Sequence, residues 1–138
     1  MPFKKGFLSR APYPITVVVP AVAGNVPIMV SATDTFEVLG ADFVCGVVGG
    51  AGATLDLVAI PKAVLTGGLN SAGQSVLLKT IDLTANALVV QHVTGQSQSK
   101  RLIPLGGALV LRTTGTLTGL AGALLTVWVQ STRGIRAE

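Results

Sequence analysis

The chain has 138 residues, of which 49% are hydrophobic and only 12% charged, with a net charge of +4, and its mean hydropathy is +0.66. That length is one domain with a sizeable core, and so few charges cannot cover its surface, so part of the apolar surface is expected to be buried against another copy or another protein. Seventeen glycines, seven prolines and a single cysteine favour strands and turns over helices, and exclude an intramolecular disulfide.

Residues 1–33 read as an extended N-terminal arm. Lys4, Lys5 and Arg10 make its start basic. Ile15–Ala23 has the apolar character of a signal peptide core, but Pro12, Pro14 and Pro20 interrupt it and argue against both a leader and a membrane-spanning helix. One or two strands are expected, Ile15–Val19 and Pro27–Ser31.

Residues 34–130 read as a β-sandwich domain. Phe36–Leu39 and Asp42–Val48 are expected strands separated by Gly40-Ala41. Gly49-Gly50-Ala51-Gly52-Ala53 follows, and it lacks the Gly-Lys-Ser/Thr ending of a phosphate-binding loop, so it reads as a hairpin connection. Thr54–Ile60 is a strand stopped by Pro61, with Leu55, Leu57 and Ala59 on one face and Asp56 on the other. Lys62–Gln74 is a loop; its Ser71 lacks the Gly-x-Ser-x-Gly spacing of a nucleophile elbow. Ser75–Leu83 and Ala87–Val93 are expected strands, with Gly95–Lys100 a polar loop between the second of these and a turn over 102–107.

The closing stretch organises the chain: a strand over Ala108–Thr114, a Gly-rich connection, and a strand over Ala123–Gln130. In the last strand Leu125, Val127 and Val129 share one face, and Leu124, Thr126 and Trp128 the other. Both faces are apolar, which marks a central or covered strand. Trp128 reads as core or subunit contact. Residues 131–138 are a polar tail. Short strands at regular spacing give the fold class: all-β, a single jelly-roll-like β-sandwich with an extended N-terminal arm.

Reactive groups are scarce. Cys45 lies in an apolar run and reads as a buried, inert thiol. His92 is the sole histidine and has no partner at metal-ligand spacing, so it reads as a half-buried strand residue. Asp34, Glu37 and Asp42 do not follow a calcium-loop pattern and read as solvated carboxylates at strand edges. No enzyme activity, catalytic residue, metal site or cofactor is expected. With six aromatic residues in all and no basic cluster longer than two residues, neither nucleic acid nor membrane is an expected partner.

The segment from Ala53 to Gln130 resembles small β-sandwich accessory proteins of tailed-bacteriophage virions. The resemblance rests on Thr54-Leu55-Asp56-Leu57-Val58 before Ile60-Pro61, on Leu77-Leu78-Lys79-Thr80-Ile81-Asp82-Leu83, on Leu105-Gly106-Gly107-Ala108-Leu109-Val110-Leu111 before Thr114-Gly115-Thr116, and on Leu120-Ala121-Gly122 entering Thr126-Val127. Many such proteins have Gly-Asp at Gly106-Gly107, where this chain departs. The resemblance implies a capsid decoration, or cement, protein on the outer surface of the virion. It would bind the major capsid protein and itself, as a homotrimer, and bridge capsid subunits. Lys4, Lys5, Arg10 and Tyr13 are then the capsid-binding candidates, and Leu124, Leu125, Val127 and Trp128 the oligomer-interface candidates. A tail, neck or fibre-base component and a receptor- or carbohydrate-binding sandwich are the alternatives.

Overall fold

The computed structural model describes residues 11–31, 34–62, 75–95 and 101–132. Among these residues the chain forms ten strands: β1 Tyr13–Val18, β2 Gly24–Val30, β3 Phe36–Val44, β4 Thr54–Ile60, β5 Ser75–Val76, β6 Ile81–Asp82, β7 Gln91–Thr94, β8 Leu102–Ile103, β9 Ala108–Thr114 and β10 Leu124–Ser131. They make two five-stranded antiparallel sheets. The first runs β1-β10-β3-β7 with β8 also on β3, and the second β2-β9-β4-β5 with β6 also on β4.

The pairing is nested. β1 pairs with β10, β2 with β9, β3 with β7 and β8, and β4 with β5 and β6. The chain is thus one long antiparallel ribbon, wrapped so that successive arms fall in alternate sheets. That is the jelly-roll path, and it confirms the expected all-β sandwich.

Each sheet turns one face inward. Val38, Ala41, Phe43, Leu125, Val127 and Val129 from the first sheet meet Leu55, Leu57, Ala59, Leu109 and Leu111 from the second, all buried. The faces assigned by alternation in β4 and β10 are the observed ones. On the outward face of the second sheet, Val58, Ile60, Ala108 and Val110 form a separate buried cluster. This explains why β4 and β9 are apolar on both sides.

Both strands expected in the N-terminal segment form, with their bounds shifted by a few residues. β1 and β2 are the outer strands of the two sheets and belong to the sandwich. Pro14 and Pro27 lie within them. Proline has no N–H for a ladder, so an outer strand is where a sheet accepts it, and it blunts that edge against further pairing.

Three other local expectations change. Gly40-Ala41 does not divide β3, because extended backbone continues through it and Gly40 pairs with Trp128 and Thr94. The Gly49–Ala53 segment is a crossover between sheets rather than a hairpin loop, since β3 and β4 share no ladder. The expected strand over 75–83 is two short strands, because Leu77 and Leu78 are both buried and two successive inward side chains break strand alternation.

Gly115 shows why the turns are glycine-rich. Its φ is +88°, and an added Cβ would run into the backbone of Gly52 and Ala53. Replacing Gly115 with alanine therefore adds a clash to a left-handed strain of about 1–2 kcal/mol, and Phe43→Ala, at a fully buried position, is expected to cost about 3–5 kcal/mol. Chemical denaturation of the two variants checks both: a midpoint for Phe43→Ala equal to that of the unsubstituted protein would contradict this assignment of the core.

Candidate functional site

The outward face of the first sheet carries the exposed side chains of interest. On β10, Leu124, Thr126 and Trp128 alternate with the buried Leu125, Val127 and Val129. The ladders place Val18 beside Leu124 and Thr16 beside Thr126 on one side. On the other side Val44 lies opposite Leu124, Asp42 opposite Thr126, and Gly40 opposite Trp128. β7 adds His92 beside Asp42 and Thr94 beside Gly40.

This face divides into two zones. At the end of Val18 and Leu124 it is apolar: Val18 is 72% exposed and Leu124 43%. The zone extends past Val44 to Leu88, whose N–H donates to the carbonyl of Cys45 at 2.8 Å. Leu88 is 79% exposed, and Val89 and Val90 are exposed beside it. Leu88 also has φ +61°, a left-handed conformation that costs a branched residue energy and so points to a held position. That conformation is why β7 begins at Gln91 rather than at the expected Ala87.

The central zone is polar. His92 Nδ1 lies 2.7 Å from Asp42 Oδ1, with both side chains partly exposed. His92 was expected to be half-buried; opposite a carboxylate on an outer strand it stands out to solvent instead. Thr16 Oγ1 and Thr126 Oγ1 are 3.1 Å apart in the same row.

The three acids read as solvated strand-edge groups have separate partners instead. Glu37 is only 6% exposed and is held by Arg101 at 2.8 Å, while Arg101 also donates to the Val38 carbonyl. β8 beside β3 brings Arg101 there, a pairing that sequence spacing did not reveal. Asp34 accepts from Ser131 Oγ at 2.9 Å, and Asp42 pairs with His92. Among the described residues no group of three or more His, Cys, Asp or Glu side chains is arranged to hold a metal ion. Cys45 is buried as expected, and desolvation pushes its thiol pKa up.

The interface candidates separate. Leu125 and Val127 are fully buried in the core, so the structure removes them as subunit contacts: their strand phase points them between the sheets. Leu124 and Trp128 are exposed. Tyr13 is exposed at the start of β1, with its ring edge-on to Phe36 at 6.5 Å. Lys4, Lys5 and Arg10 lie outside the described residues, as do Ser71 and most of the two polar loops. No described helix is long and apolar enough to cross a membrane.

No family model and no curated protein matches the chain. Among solved structures it is similar to IMPa from Pseudomonas aeruginosa in complex with an O-glycopeptide, at 18% identity and a TM-score of 0.38, over 89% of this chain and 12% of that one. The chain thus spans about an eighth of that protein's length. A likeness of that degree bears on neither fold nor function.

Two measurements test the local electrostatics. Arg101→Met leaves the Glu37 carboxylate buried without its cation, at an expected cost of about 3–5 kcal/mol, and pairing it with Glu37→Leu recovers most of that loss. Equal stability of Arg101→Met and the unsubstituted protein in urea unfolding would contradict the buried pair. At Asp82, hydrogen bonds from the Thr84 hydroxyl, at 2.6 Å, and from the Thr84 backbone N–H, at 2.8 Å, lower the carboxyl pKa. Its stabilising contribution is therefore present above the unfolded value of about 3.9 and is lost as pH falls through the lower folded one. An NMR titration should place the Asp82 midpoint below that of an ordinary aspartate, and Thr84→Val should move it up.

Proposed function

We propose that this chain is a structural protein of a tailed-bacteriophage virion, a decoration protein that binds the outer capsid surface as a homotrimer and bridges neighbouring major capsid subunits. The observation that carries the reading is the apolar zone of the first sheet. Val18, Leu124 and Leu88–Val90 are exposed together on a fold whose inward face already holds a complete core. A monomer gains nothing by exposing such a zone, whereas burial contributes about 25 cal/mol per Å² of apolar surface.

Decoration is a task for such a surface. It needs no reagent, only binding energy distributed over several contacts. Association and ordering costs consume most of what one contact contributes. Three linked copies overcome this, because the second and third contacts form at a high effective concentration. The basic residues Lys4, Lys5 and Arg10 suit an acidic capsid surface, and Tyr13, which follows them in the sequence, is exposed at the head of β1. A tail or neck component would use the same surfaces and differs in where it sits.

Sedimentation equilibrium should give three times the 14.0 kDa chain mass. Leu124→Asp should release monomers that are still folded, because Leu124 lies outside the core. A monomer at every concentration would contradict the assembly reading. Gold-labelled antibody against the protein should decorate the heads of intact particles evenly. Label at the tail or neck would overturn the capsid placement, and absence of label on any particle would overturn the virion assignment. Deleting residues 1–10 should weaken capsid binding without disturbing β1, and unchanged binding would remove the arm from the interface.

A further inference from the structure

We infer that copies of this chain meet through one end of the sandwich, where four uncharged connections gather, and that the three-fold axis of the assembly runs along that end. The inference rests on the homotrimer proposed above and adds the surface that closes it. The ladders bring the four connections together. Val18 and Val44 both lie opposite Leu124, and Gln91 lies opposite Phe43. In the second sheet Gly24 lies opposite Thr113, and Thr54 opposite both Thr114 and Asp82. The connections 19–23, 45–53, 83–90 and 115–123 therefore emerge at the same end. None of them contains Asp, Glu, Lys, Arg or His, although the chain has ten basic and six acidic residues. Asp82, the charge next to them in sequence, stands at the rim, where the Thr84 hydroxyl donates to its carboxylate. Val18, Val22, Val47 and Leu88–Val90 are all exposed at this end.

The backbone of this end is prepared to lose its water. Surface loops ordinarily leave polar groups to solvent. Here the connections hydrogen-bond one another. Val19 N–H donates to the Ala123 carbonyl, Gly46 and Val47 donate to that of Ala121, and Ala121 donates back to that of Val47. Gly49 donates to the Leu83 carbonyl, Gly50 to that of Thr116, and Leu88 to that of Cys45. These N–H groups keep their partners when water is excluded, so burying them adds no unpaired donor.

A charge facing this end would be desolvated with no partner, so the occupant is uncharged. A second copy always brings such a surface with it. Symmetry selects the same occupant. The interface of a closed trimer is heterologous, so each copy must offer two different patches. One flat sheet face offers only one. The charge-free end offers two flanks: Val18 and Leu88 beside the first sheet, and Val22 at the entry to β2 of the second. Because β1 runs from Tyr13 to Val18, Tyr13 lies at the opposite end, away from the axis and on the side of the proposed capsid contact.

Sedimentation equilibrium of charge variants tests this, with far-UV circular dichroism confirming that each is folded. Val22→Asp and Val47→Asp lie in different connections and outside the zone that carries the assembly reading. Each should raise the concentration of half-dissociation by about tenfold or more, the penalty for desolvating an unpaired carboxylate. Val30→Asp, exposed at the opposite end, should leave it unchanged. Sodium chloride should not weaken the association, since no charge pair holds it. A trimer that Leu124→Asp dissociates but Val22→Asp and Val47→Asp do not would overturn this inference and leave the assembly reading standing; a monomer throughout would overturn both. Equal dissociation by Val30→Asp, or dissociation in salt, would also overturn it. So would flotation of the unsubstituted protein with phosphatidylcholine vesicles that is lost in Val22→Asp, since the end would then meet lipid.

Discussion

The ladder between β3 and β10 is the interaction on which the molecule depends. It joins Phe36–Val44 to Leu124–Ser131, strands far apart in the sequence, and every other strand of the first sheet attaches to one of them. Its inward side chains, among them Phe43, Leu125 and Val127, are fully or almost fully buried. Its outward side chains are the exposed ones that can meet a partner. The same strand alternation therefore closes the core and builds the exposed face, and neither can be shifted by one residue without exchanging them. The register irregularity between Trp128 and Val129 falls at the centre of that face. Bulges commonly re-aim side chains at such places.

Much of the fold was legible in the sequence because strand periodicity is local. Thr54–Ile60 and Ala108–Thr114 stand as read, and the two faces of β10 follow from alternation alone. The pairing was not legible. Thr16 meets Thr126 across 110 residues, and no local pattern encodes which distant strand a given strand joins. The Gly49–Ala53 segment shows the consequence: a glycine-rich turn between adjacent strands looks like a hairpin until the ladders show the strands in different sheets.

The site was less legible than the fold. Asp42 and His92 are each ordinary strand residues, 50 positions apart, and only the β3–β7 ladder makes them a pair. Glu37 and Arg101 became a buried ion pair through β8, two residues long, a strand too short to announce itself by pattern. Trp128 belongs to the same class: its phase on β10 was readable, but its neighbour Gly40 was not. Leu125 and Val127 failed as interface candidates for the opposite reason. Apolar character alone does not distinguish a face that meets the other sheet from one that meets another molecule, and in a strand apolar on both sides only the partner strands decide.

The two faces of the first sheet divide the labour: the inward face holds the sandwich, and the apolar outward zone is the surface proposed to hold the assembly. Hydroxyl-radical footprinting of the free protein and of the same protein on intact particles compares the two states side chain by side chain. Strong protection of Leu124, Val18 and Leu88 is expected on the particle. Unchanged reactivity at those three residues, or protection confined to the second sheet, would contradict it.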